Sequence, residues 1–398
     1  MQRRIDAFRH FWTQPRNIFW LGLVIAVVAT SLEVLRGRAE NFAVFSDATV
    51  NFWNGISSYT DEFQEQHRRF YIYSPVFNVL FAPFAYLPRV IGAYAWNLLN
   101  YALLMAAICH LPASLRRHRA GIMLFLLCII SQSIFCFQYN LSVAWMFLWA
   151  YILLERGKGF WAVLLIMVSA TTKIYGGIEL GLLLCYPRFW RNAGYAALCG
   201  VVLLALPVLK TGVDGLVPWY ADWFAHLTQH HEITGTYPSL VFMPPFDTWF
   251  LPNMRWVQAI GLCALTAVMF SQYRRWSDFS FRAQLLGIMM GYIVLFSEAA
   301  ESHTYVIALA GYMLCYYTWA QRTKLDALLY WGSLVFMSLM PIDMFCPPKV
   351  HRFLNGELFI GVYIFTAIWL TMVYKAVRAN GQTENANKLT TNDDISQL

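Results

Sequence analysis

Asp47 is the carboxylate best placed to do chemistry in this chain of 398 residues. It follows shortly after the first long apolar stretch, between Phe45 and Phe52, at the edge of an apolar layer. A carboxylate there can serve as a general base when its surroundings tune its pKa. The position equally suits an N-cap, because Ala48 to Gly55 reads as a short helix. Further along, Tyr59 to Tyr73 mixes Asp61, Glu62, Glu65, His67, Arg68 and Arg69 with aromatic residues. Guanidinium groups match phosphate oxygens in a bidentate way, so His67-Arg68-Arg69 facing a membrane can receive a lipid phosphate. The solvated face of an interfacial helix has the same composition. Gln138-Tyr139-Asn140 forms a very short turn. Lys173 is the one ammonium inside a long apolar run; it is a functional candidate by position or it snorkels to the interface. Glu298, Glu301 and His303 cluster at the end of another apolar segment, either as a site or as ordinary loop charges. His226 and His230 have the i, i+4 spacing a metal accepts, but no HExxH pattern surrounds them, and no metal or cofactor is expected.

These groups need elements to hold them, and composition says which kind. The chain is 59% hydrophobic and 13% charged, against about 25% charged in soluble domains. No single core could hide that much apolar surface, so lipid must cover it. The aromatic share of 17% suits interfacial belts of Trp and Tyr. The net charge of +7 is dispersed through short loops, as expected of cytoplasmic connections and not of a nucleic-acid binder. Ile18 to Leu35 is closed by Glu33, Arg36 and Arg38 with no small-residue cleavage site, so it reads as a retained signal anchor. Seven cysteines fall in apolar segments and only Cys346 in an outer loop, which argues against a disulfide framework.

Apolar stretches near spanning length fall at 18–36, 90–110, 121–137, 141–154, 195–210, 256–272, 284–298, 304–320, 326–341 and 358–376. The stretch 159–187 is basic at both ends, with Arg156 and Lys158 before it and Arg188 and Arg191 after. The chain must therefore enter and return, and Gly176-Gly177 is the expected break. The prediction is an all-α integral membrane protein, one polytopic domain over 1–378 with about twelve transmembrane helices. Both termini lie inside, and a polar, disordered cytoplasmic tail follows over 379–398. Large outer loops fall at 37–89, 211–255 and 341–357. In the second, Leu216, Trp219, Tyr220, Trp223, Phe224 and Leu227 recur at helical spacing and predict an amphipathic helix on the membrane. The following Pro-rich stretch from Tyr237 to Pro252 could wall a groove for a lipid tail.

The motifs then resemble a family. Ser46-Asp47 followed by Tyr59, Phe70-Tyr71-Ile72-Tyr73-Ser74-Pro75 and Phe81 to Pro88 are similar to the first-loop pattern of glycosyltransferase family 87, the polyprenol-phosphate-mannose-dependent mannosyltransferases of the C-type superfamily. Gln138-Tyr139-Asn140, Thr172-Lys173-Ile174-Tyr175 and Ser302-His303-Thr304-Tyr305 resemble its later motifs, in the expected order over about 35–310. Phe137 stands where that family usually has Gly, and Gly176 where it has Pro. The resemblance implies a C-type glycosyltransferase fold and sugar transfer, with mannose first, from a polyprenyl-phosphate donor to a glycolipid or glycan hydroxyl. It implies an inverting reaction on the outer face of a bacterial inner membrane. Asp47 would be the base, with Lys173, Arg68, Arg69 and His303 around the departing phosphate. Tyr59, His67, Tyr73, Gln138, Asn140, Glu298 and Glu301 are the further substrate contacts it implies. Membrane lipids are the other expected partners. A flippase or secondary transporter would also have about twelve spans, but would keep its ionisable residues near the bilayer midplane. An envelope scaffold would leave Lys173 and the loop motif without a role.

Overall fold

The computed structural model describes residues 11–229, 238–342 and 345–378, and its regular elements there are all helical. Helix α1 (Pro15–Leu35) leads past Gly37, whose φ of +66° suits a residue without a Cβ. Three helices of the first loop follow: α2 (Glu40–Asn54), α3 (Asp61–His67) and α4 (Pro75–Ala85). Next come α5 (Arg89–His110), α6 (Arg119–Phe135), α7 (Asn140–Glu155) and α8 (Gly159–Thr172), then a 3₁₀ helix, Ile174–Cys185. The order continues with α9 (Phe189–Ala205), α10 (Val208–Gln229), α11 (Met254–Ser271), α12 (Phe279–Leu295), α13 (Tyr305–Thr318), α14 (Lys324–Ser333) and α15 (Ile360–Arg378).

Helices α6, α7, α12 and α13 are apolar on every side, and such helices belong in an interior. They are buried along most of their length. Helices α12 and α13 meet backbone to backbone: a Cβ on Gly287 would lie 2.4 Å from the Gly311 carbonyl oxygen. Around this centre, α1, α5, α9, α11 and α15 turn one apolar face outward, with Val24, Leu99, Val201, Trp256 and Leu370 exposed. Among the described residues, α1, α5, α11 and α15 are each long and apolar enough to cross a membrane; α9 and α10 would add a fifth span if the pair, bent by 95°, is one. The other apolar helices have 10–17 residues.

The stretch 159–187 does double back. Helix α8 and the 3₁₀ helix pack against each other, and the Tyr186 hydroxyl donates to Glu155 at 2.6 Å, bringing the two ends of the hairpin together. The return has fewer residues, 12 against 14. A 3₁₀ helix rises about 2.0 Å per residue and an α-helix about 1.5 Å, so the two limbs are nearly equal in height. The break lies at Lys173, which is extended, and not at Gly176-Gly177. Gly176 is instead where the limbs touch, since a Cβ there would come within 2.4 Å of Ser169 Oγ.

The first loop also differs from expectation. Asp47 is no N-cap, because α2 starts at Glu40 and carries Asp47 in its interior. Phe42, Phe45 and Phe52 anchor α2 inward and extend the helix through Asp47. The amphipathic helix forms as α10, interrupted at Gly212, whose φ is +67°. Part of its stripe faces protein, however: Trp219 meets Phe52 at 5.0 Å, and Trp223 Nε1 donates to the Ile72 carbonyl. Val213, Val217 and Phe224 face outward on the other side. In the Pro-rich stretch, Val241, Phe242 and Met243 are buried. His230 and the tail 379–398 lie outside the described residues.

Candidate active site

The same end of the molecule collects most of the residues with chemical potential. Helix α2 presents Asp47 from its middle. Helix α3, capped by Thr60 accepting from Phe63 N–H, ends with His67, and Arg68 turns the chain with φ of +50°. Helix α5 begins at Arg89. Asp47 Oδ2 lies 3.3 Å from Arg89 Nη2 and 3.6 Å from His67 Nε2. Burial pushes the His67 imidazole below its ordinary value; Asp47 opposes this and Arg89 adds to it. His67 is then neutral near pH 7, and Arg89 is the cation that holds the Asp47 carboxylate. A cavity of about 460 Å³ opens beside them, lined by Glu40, His67, Arg68 and Arg89 on its polar side and Val34 and Val90 on its apolar side.

A second cluster forms at the tip of the hairpin. Ser74 Oγ donates to the Thr171 carbonyl and Tyr139 shares a hydrogen bond with Thr172, which pins the tip against α4 and α7. Lys173 Nζ then lies 5.7 Å from the Tyr73 ring and 5.2 Å from the Tyr175 ring. Glu301 Oε2 lies 2.7 Å from His303 Nε2 and accepts from Gln138 Nε2 at 3.2 Å. Burial disfavours a charged His303, but the adjacent Cys136 and Glu301 outweigh it and raise its pKa to about 10. Burial likewise opposes ionisation of Glu301, yet His303, Arg69 and Lys173 together hold its pKa below the usual range. Arg69 connects the two clusters: it is bound to Glu40 at 2.7 Å on α2, and its charge reaches Glu301. Phe45, two residues before Asp47, stands edge-on to Tyr73 at 5.0 Å.

Two expected site residues make bracing hydrogen bonds, and a third lies at the edge of the second cluster. Tyr59 is buried, its hydroxyl donating to the Tyr73 carbonyl, so it braces the loop. Asn140 is buried and donates to Thr304 Oγ1, tying α7 to the segment before α13. Glu298 adjoins Tyr175, whose hydroxyl bonds Ser297, at the margin of the second cluster. His226 is buried, with its ring 6.1 Å from that of Tyr59. No group of three or more His, Cys, Asp or Glu is arranged for a metal among the described residues.

Sequence reasoning passed over Arg89 and Glu40. The signal for Arg89 was a basic residue at the end of a loop expected on the outer side, where the charge rule expects few. It also passed over Glu179, an acid within the apolar run Ile174 to Cys185, which is fully buried, with neither oxygen partnered among the described residues. Phe137 adopts φ of +51° while buried against Phe42, which explains why a glycine would suit that turn.

Compared with known proteins, residues 71–297 match the sequence model of Glycosyltransferase family 87, more than half of the chain. Tyr73, Gln138, Asn140 and Lys173 fall inside the matched stretch; Asp47, Tyr59, His67, Arg68, Arg69, Glu298, Glu301 and His303 fall outside it, so the match is narrower than the 35–310 expected. No curated protein matches the chain.

Proposed function

The chain belongs to glycosyltransferase family 87 and is a membrane glycosyltransferase, and from that premise we propose a polyprenyl-phosphate sugar, mannose first, as its donor and a glycolipid or glycan hydroxyl as its acceptor. In this reading Asp47 takes the acceptor proton as the hydroxyl oxygen attacks the anomeric carbon. The bond from that carbon to the phosphate oxygen breaks, the phosphate leaves with the electron pair, and the configuration inverts. Negative charge grows on the phosphate during this step, and preorganised cations lower its energy most effectively. Arg69 is paired with Glu40 and Arg89 with Asp47. Lys173 and protonated His303 both act on the carboxylate of Glu301, with Glu298 at the margin, so that cluster offers two cations to the donor phosphate. Arg68 adds a guanidinium on the cavity side.

The observation that carries the reading is the convergence of a cation-held carboxylate and a cluster holding Lys173 and His303 at one end of an apolar helical body, linked through Arg69 and the Phe45–Tyr73 contact. This end would face outward from a bacterial inner membrane, with about twelve crossings, the C-type fold and both termini inside. A lipid-borne donor suits that side, because it arrives within the membrane itself. The test is transfer from a panel of radiolabelled polyprenyl-phosphate sugars, with nucleotide sugars alongside, in membranes containing the protein. Transfer from a polyprenyl-phosphate sugar, lost in Asp47→Asn, is expected; transfer from nucleotide sugars alone would refute the donor assignment.

A further inference from the structure

At the opposite end from Asp47, the base of the hairpin encloses a cavity of about 190 Å³ lined by Gly157, Gly159, Tyr186, Arg188, Arg191 and Asn192. Three features make it more than a gap between helices. Arg188 stands at the N-cap of α9 with φ of +66° and offers no side-chain cap. A side-chain-bearing residue is strained in that conformation, and α9 starts with first-turn N–H groups that have no intrahelical partner. Second, Asn192 is 3% exposed, lines the cavity, and its Oδ1 has no hydrogen-bond partner among the described residues. Third, the nearby acid is already engaged: Glu155 is held by Arg282 at 2.7 Å and by the Tyr186 hydroxyl. What remains is two guanidiniums, the N-terminal end of a 17-residue helix and one buried acceptor.

We propose that this cavity binds the headgroup of an anionic, hydroxyl-bearing phospholipid of phosphatidylglycerol type. The phosphate would lie between Arg188, Arg191 and the first turn of α9, where charge and N–H groups both favour an anion. A headgroup hydroxyl would donate to Asn192 Oδ1, the partner that a bare phosphate cannot supply. Membrane depth favours a lipid over a solute: Trp161 and Trp190 are exposed beside the cavity, as interfacial aromatics are, and basic pockets between membrane helices recur as anionic-lipid sites. The site sits under both limbs that carry Lys173, so an occupied cavity would stiffen the hairpin from below.

The test uses the full chain in neutral detergent, titrated with phosphatidylglycerol, phosphatidylcholine, inorganic phosphate or glycerol 1-phosphate, reading lipid retention by native mass spectrometry and the thermal midpoint. Phosphatidylglycerol should be retained and raise the midpoint, and the other three should not. Arg188→Gly should keep or raise the lipid-free midpoint, since glycine accepts the left-handed conformation, while Arg188→Gly with Arg191→Gln should weaken phosphatidylglycerol binding at least tenfold. Equal retention of phosphatidylcholine, an equal shift with either soluble phosphate, or unchanged phosphatidylglycerol binding in the double variant would overturn the proposal.

Discussion

Asp47 sits 3.3 Å from Arg89 in the middle of a helix, so its role cannot be that of a cap. This sharpens its test. Asp and Asn have similar helix propensities, so Asp47→Asn should fold normally and lose roughly 10²- to 10⁴-fold in transfer rate, the usual contribution of a positioned proton acceptor. Amide variants of Asp61, Glu62 and Glu65, all exposed on α3, should retain most activity. If one of these dies and Asp47→Asn survives, the base is that residue. Lys173→Met should weaken donor binding in purified protein while leaving insertion intact; unchanged donor affinity would remove Lys173 from the site. His303 gives a pH signature. Its folded pKa, about 10, exceeds the ordinary value of 6.5. Its ion pair with Glu301 therefore stabilises the protein fully below about pH 6.5, and that contribution is lost as pH rises through about 10. Donor affinity should fall as His303 loses its charge near pH 10, and His303→Gln should remove that part of the limb. A limb that persists in His303→Gln belongs to another group.

At the scale of elements, the hairpin of α8 and the 3₁₀ helix decides where Lys173 stands. Gly176 and Gly177 are adjacent in sequence but differ in surroundings: a Cβ at 176 would lie 2.4 Å from Ser169 Oγ and 2.5 Å from the Ala170 nitrogen, whereas nothing lies within 4 Å of one at 177. Overpacking of this kind costs about 1–3 kcal/mol. Gly176→Ala should lower the thermal midpoint and transfer activity together, and Gly177→Ala should do neither. Equal behaviour of the two would mean that the limbs do not close as described. The base of the hairpin has its own fastening in the Glu155–Arg282 pair, each side chain 13% exposed. Removing one partner of a buried pair costs about 3–5 kcal/mol, so Arg282→Met should destabilise more than any surface arginine variant, measured by thermal unfolding in detergent.

For the whole molecule, the proposed orientation places α3 and α10 on one side of the membrane and the α7–α8 turn on the other. Cysteines introduced at Glu65 and Thr228 should react with an impermeant maleimide in intact cells, and one at Lys158 should react only after lysis. The reverse pattern would invert the topology and with it the outward site. The body of the fold follows the hydrophobic stretches, since each of them is helical and the most uniformly apolar ones, α6, α7, α12 and α13, form the centre.

The sequence by itself determined that this is an all-helical membrane protein, that it resembles its family, and that 159–187 doubles back. Each of these depends on the chain locally: apolar length, loop charge and motif order are one-dimensional properties, and lipid turns them directly into helices. It also drew Asp47, His67, Lys173, Gln138, Glu301 and His303 out of the chain, by residue type and by position at segment ends. Only the tertiary structure decided which of them meet. Asp47 and Arg89 are far apart in sequence, as are Gln138 and Glu301, and such pairs depend on how helices pack. The same holds for Tyr59 and Asn140, whose hydrogen bonds show them bracing the fold. The break at Lys173 was equally out of reach, because glycine pairs permit both a turn and a close contact, and the facing limb with Ser169 selects the contact.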